Sequence, residues 1–153
     1  ACLGALDAWL VIRGIKTLPL RMEQHQKNAF AIAKWLQKQL RVQYVLYPGL
    51  ENHPGYVINK AQTTSFGGMI SFAVDNAETA RQILEGVKLI KFAESLGGTE
   101  SLITYPIRQT HTDLTAEECA EKGITDCLLR FSTGIEATQD LIDDLAQAFA
   151  VIE

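Results

Sequence analysis

Leu128-Leu129-Arg130-Phe131-Ser132-Thr133-Gly134-Ile135-Glu136 sets one cation inside a run of apolar, β-favouring residues. A charge in such a run is costly unless an anion meets it. Arginine's planar fork matches a carboxylate or phosphate with two parallel hydrogen bonds, so Arg130 reads as the head of an anion site at a strand's end. The competing account is a salt bridge to a neighbouring acid, and spacing alone makes that the commoner outcome for a strand-borne arginine. Cys127 to Ser132 reads as the strand itself. Thr138 then reads as the cap of a final helix buried through Leu141, Leu145 and Phe149.

Working back from this strand, residues 92–112 lack regular periodicity. They hold the polar, glycine-bearing string Glu94-Ser95-Leu96-Gly97-Gly98-Thr99-Glu100-Ser101, a possible strand from Leu102 to Tyr105, and Thr110-His111-Thr112. Long irregular segments in compact domains are more often functional than decorative. Thr115 and Glu118 have capping-box spacing for a short helix. Asn76 is placed to cap a helix whose Ala80, Ile83, Leu84 and Val87 share one face. Met69 to Val74 alternates Ile70, Phe72 and Val74 with smaller residues, as a strand with one face in a core does. A further strand, Val42 to Tyr47, stops at Pro48-Gly49, and a weak helix runs through Lys60 and Gln62.

Nearer the start, Ala29, Ile32, Ala33, Leu36 and Leu40 follow helical spacing, with Gln26, Lys27, Lys34, Gln37 and Lys38 toward water and Pro19 in the first turn. Leu6, Trp9 and Leu10 give an earlier helix an apolar stripe. Helices and strands thus alternate as α-α-β-(α)-β-α-β-α-β-α. The expected fold is a two-layer α/β (α+β) domain, a small sheet with helices packed on one face.

At 153 residues and 47% apolar content the chain suits one core, so residues 1–153 read as a single domain. A net charge of −4 without a lysine or arginine cluster argues against nucleic acid or an anionic membrane as partner. The longest apolar runs fall far short of a bilayer span, and the start lacks the pattern of a signal peptide, so the cytoplasm is the expected location. Cys2, Cys119 and Cys127 form no C-x-x-C pair and read as reduced thiols. His25, His53 and His111 have no metal-ligand spacing, so no metal is expected. Gly97-Gly98 fits no phosphate-loop pattern and reads as a turn. What remains is Arg130 as an anion fork, the Ser95 segment whose backbone N–H groups could join it, and Glu94, an acid that would repel an anion unless it serves a cationic end of the same ligand. Together they suit an α-amino acid with a second amino group at its far end.

Ordered strings along the whole chain then meet a known group. They are Asp7-Ala8-Trp9-Leu10, Arg13-Gly14-Ile15-Lys16-Thr17-Leu18, Tyr47-Pro48-Gly49-Leu50, Gly67-Gly68-Met69-Ile70-Ser71-Phe72, Ala93-Glu94-Ser95-Leu96-Gly97-Gly98, Thr110-His111 and Leu129-Arg130-Phe131-Ser132-Thr133-Gly134-Ile135-Glu136. The chain resembles the C-terminal domain of the pyridoxal-phosphate enzymes of cysteine and methionine metabolism: the cystathionine γ-synthases, cystathionine lyases and methionine γ-lyases.

The resemblance implies the C-terminal domain of a fold-type-I enzyme with a small, mainly antiparallel sheet. In it, N-terminal helices 5–41 link to a separate pyridoxal 5'-phosphate domain, and the whole enzyme is a homotetramer of tight dimers. It implies that Arg130 grips the α-carboxylate of a small amino-acid substrate, that Ser95 and Leu96 line the pocket, and that Thr110 borders it. Glu94 matches the acid that faces the distal amino group in cystathionine-using members, where methionine γ-lyases tend to be apolar. The family's S-x-T-K string is absent, so none of Lys16, Lys60, Lys88 or Lys91 is a candidate for the cofactor lysine. The expectation is therefore a substrate-gripping portion of a transsulfuration enzyme that binds no cofactor by itself, acting with its large domain on cystathionine or on O-acyl homoserine plus cysteine. The alternative is a stand-alone binding or oligomerisation module derived from that family.

Overall fold

The computed structural model describes residues 2–152. In chain order its elements are α1 (Ala5–Ile15), α2 (Leu18–Leu36), β1 (Val42–Leu46), α3 (Tyr56–Gln62), β2 (Met69–Val74), α4 (Ala77–Gly86), β3 (Lys91–Phe92), β4 (Leu102–Thr104), a 3₁₀ turn (Pro106–Arg108), α5 (Ala116–Glu121), β5 (Leu128–Ser132) and α6 (Thr138–Ala150). The strands form one sheet in the order β1-β2-β5-β4-β3. Every pairing is antiparallel except that of β3 with β4.

Because alternate strand residues point to opposite faces, the register sorts the sheet into two surfaces. Phe72 lies opposite Leu129, and Ile70 and Ile103 both flank Phe131. These five side chains are fully buried, with Ile32, Leu36, Ile83, Leu141 and Leu145 from α2, α4 and α6 among the other fully buried core residues. Arg130 belongs to the opposite surface, flanked by Ser71 on β2 and Thr104 on β4, while Ser132 lies between Met69 and Leu102. The central strand therefore feeds the core with one set of residues and the second surface with the other.

Two of the expected caps form. Asn76 Oδ1 accepts the Thr79 N–H at 2.8 Å, and Thr115 and Glu118 complete a reciprocal capping box. Pro19 sits in the first turn of α2, as its missing N–H favours. Three details differ from the sequence reading. Leu40 is 98% exposed, because α2 ends at Leu36 and a turn through Gln37 to Gln39 leads directly into β1. Thr138 is the first residue of α6 rather than its cap, since its hydroxyl donates instead to Asn28 Oδ1 at 2.6 Å. The two-residue β3 is additional, pairing in parallel beside β4.

Candidate substrate-carboxylate site

Arg130 is half-buried in the middle of β5, and among the described residues its guanidinium forms no ion pair. Among the described residues the ion pairs are Arg41 with Asp75 and Arg81 with Glu78, so the salt-bridge account of Arg130 fails. Its one side-chain hydrogen bond runs from Nη2 to Thr104 Oγ1 at 3.4 Å, across the β4–β5 register. A partly desolvated fork with most of its donors free is suited to an incoming carboxylate.

The loop after β3 crosses this same surface, held at both ends. Thr104 Oγ1 donates to Ala93 O at 2.9 Å, and Gly97 N–H donates to Ser132 Oγ at 3.0 Å. Glu94, Ser95 and Leu96 form the span between these two anchors and are exposed. Gly97 makes the turn with φ +78°, a conformation that glycine adopts without strain. Leu96 reaches a recess of about 120 Å³ shared with Met22, His25, Gly68, Met69 and Ser132. The structure thus gathers Arg130 and the Glu94–Leu96 span on one side of the sheet. Thr110 is not joined to them by a hydrogen bond, since its hydroxyl pairs with its own neighbour, His111 Nδ1, at 2.7 Å.

A second network fixes the end of β5 to α2. Thr133 Oγ1 lies 3.0 Å from His25 O and 2.9 Å from Gly68 O, its single proton shared between the two carbonyls, while His25 Nδ1 lies 2.5 Å from Thr133 O. Glu136 accepts Ser101 N–H and Ser101 Oγ–H, and Ser101 Oγ in turn accepts Gly134 N–H. His25, Ser101 and Thr133 are buried and Glu136 is half-buried, and their polar groups satisfy one another, which holds the exit of β5 rigid. Sequence reasoning did not single out Thr104, Ser132 or Asn28 for this site. The two-residue spacing that puts Ser132 on Arg130's side was the available signal for one of them.

Comparison with known proteins places the chain in a family. The family model described as Cys/Met metabolism PLP-dependent enzyme matches residues 1–150. This chain belongs to that family. Cystathionine gamma-synthase of Haemophilus influenzae is 51% identical over 150 residues, 98% of this chain and 36% of that protein. Cystathionine gamma-lyase of Dictyostelium discoideum is 50% identical over 143 residues, 93% of this chain and 37% of that protein. Cystathionine gamma synthase from Xanthomonas oryzae, solved in complex with cystathionine, superposes with a TM-score of 0.90 at 44% identity, covering 95% of this chain and 38% of that one. The chain therefore spans little more than a third of the length of these relatives.

Members of this Cys/Met metabolism family depend on pyridoxal 5'-phosphate. Among the described residues no lysine is enclosed. A lysine that forms a Schiff base works from a desolvated, enclosed position. Here all eight lysines are exposed: Lys34 and Lys60 lie over the Phe30 and Tyr56 rings, and Lys91 donates to Lys88 O.

Proposed function

We propose that the chain is the substrate-binding C-terminal portion, residues 1–153, of a pyridoxal-phosphate transsulfuration enzyme. Its substrate is cystathionine, or O-acyl homoserine together with cysteine, and the reaction is γ-replacement or β/γ-elimination. The single observation that carries this reading is the half-buried Arg130 guanidinium, which has no acid partner among the described residues and lies on the side of the sheet crossed by the Glu94–Leu96 span. Arg130 grips the α-carboxylate, Ser95 and Leu96 line the pocket, Thr110 borders it, and Glu94 meets the distal ammonium of cystathionine. The cofactor, bound elsewhere in the complete protein, supplies the electron sink for the bond-breaking chemistry. This chain's residues bind and orient the substrate.

The surface of α1 supports the view that further protein covers this portion. Leu6, Trp9, Leu10, Ile12 and Ile15 are each more than half exposed, and no residue of α1 is buried. Contiguous apolar surface of this kind marks a protein contact, and the complete enzyme, a cytoplasmic homo-oligomer, would bury it against the cofactor domain and a second subunit.

The test is turnover. The complete protein with pyridoxal 5'-phosphate is expected to process cystathionine or to condense O-acyl homoserine with cysteine, and the 153-residue chain alone is expected to do neither. Release of an α-keto acid from cystathionine by the isolated chain would overturn the proposal and place the chemistry within these residues.

A further inference from the structure

Thr104 stands at the junction of the two parts of the site. It is 1% exposed, lies directly opposite Arg130 in the β4–β5 register, and has no backbone role that requires a hydroxyl. A threonine hydroxyl has one proton. Here it is committed to Ala93 O at 2.9 Å, the residue from which the Glu94–Leu96 span departs. The oxygen must then act as acceptor toward Arg130, which meets it with Nη2 at 3.4 Å. One buried hydroxyl therefore orients the guanidinium and anchors the start of the span that carries Glu94.

We infer that Thr104 is a positioning residue that couples the carboxylate fork of Arg130 to the Glu94 segment, and so sets the spacing between the two ends of the substrate that this site accepts. The inference rests on the reading of Arg130 as the carboxylate grip. Valine has the shape of threonine without the hydroxyl. In a Thr104→Val protein Arg130 loses its orienting partner and Ala93 O loses its donor, while the core side of the sheet, formed by Ile103 and Phe131, is untouched. Serine restores both hydrogen bonds.

The experiment uses the complete holoenzyme with cystathionine as substrate. Thr104→Val is expected to raise KM about five- to tenfold with kcat changed less than about twofold, the size of one or two net hydrogen bonds. Thr104→Ser is expected to restore KM. In an Arg130→Ala background the valine substitution is expected to add nothing to KM, because the residue through which it acts is gone. A merely structural role would lower the thermal midpoint and kcat without this split and would act equally in both backgrounds, which would overturn the inference. If the valine protein fails to fold, Thr104→Ala serves in its place, and an unchanged KM in that variant overturns it equally. An Arg130→Ala change that raises KM beside a silent Thr104→Val defeats the inference alone. A silent Arg130→Ala defeats the carboxylate reading as well.

Discussion

The side-chain amide of Asn28, in the middle of α2, donates to Gly134 O and Glu136 O, both at 2.9 Å, more than a hundred residues along the chain. Asn28 is fully buried, and its Oδ1 accepts from Gln24 and Thr138. It thus ties α2, the exit of β5 and the start of α6 into one rigid corner under Arg130. Removing it leaves two carbonyls with no partner in a buried setting, where each unmet group is costly.

Asn28→Ala is expected to destabilise the fold by about 2–4 kcal/mol, most of it from the orphaned carbonyls. Chemical unfolding of the purified protein measures this through the transition midpoint. Asn28→Asp, which keeps the shape but has no donor, is expected to fall close to the alanine variant.

Tyr47 gives stability a dependence on alkaline pH. Its ring is fully buried and its hydroxyl donates to Gly67 O at 3.0 Å. Burial pushes the phenol from its ordinary 10.0 up to about 12. The unfolded chain therefore gives up this proton first, so the stabilisation is complete below pH 10 and is lost as pH climbs toward 12. The slope from this group is at most about 1.4 kcal/mol per pH unit. Unfolding midpoints measured between those limits should fall with pH in the native sequence and fall less steeply in Tyr47→Phe.

Glu94 sits on the exposed span between the Ala93 and Gly97 anchors and makes no side-chain hydrogen bond among the described residues, which leaves its carboxylate free for a ligand. In the complete enzyme Glu94→Ala should cut kcat/KM for cystathionine about two- to fivefold, as expected for one exposed charge contact. Activity on methionine, which has no distal amino group, should change little. Steady-state kinetics on the two substrates check this, and equal losses on both would remove Glu94 from substrate recognition.

Much of the fold was legible because its elements obey local rules. Met69–Val74 alternates strictly enough to fix both its bounds and its buried face, and Asn76 and Thr115 cap helices as their spacing requires. Leu40 was missed because a local turn after Leu36 ends α2 early, and the other two misses share a different cause, long-range pairing. Thr138 abandons its capping role for Asn28, a partner 110 positions away. Lys91–Phe92 becomes a strand only because β4 runs beside it, with no signal of its own in two residues. At the site, Arg130 was legible as a charge out of place. Its partner Thr104 was not, because the meaning of that hydroxyl depends on the β4–β5 register and on the return of the chain at Ala93.

The most direct test of the account concerns what Arg130 recognises. In the complete enzyme, kcat/KM is compared for cystathionine and for its analogue amidated at the reacting α-carboxylate, with native Arg130 and with Arg130→Ala. A charge-assisted fork contributes about 1.5–3 kcal/mol, a preference of roughly 10- to 150-fold for the acid over the amide. The account predicts that the native enzyme shows this preference and that Arg130→Ala abolishes it. An undiminished preference in Arg130→Ala would contradict it, and the carboxylate grip would then belong to another residue.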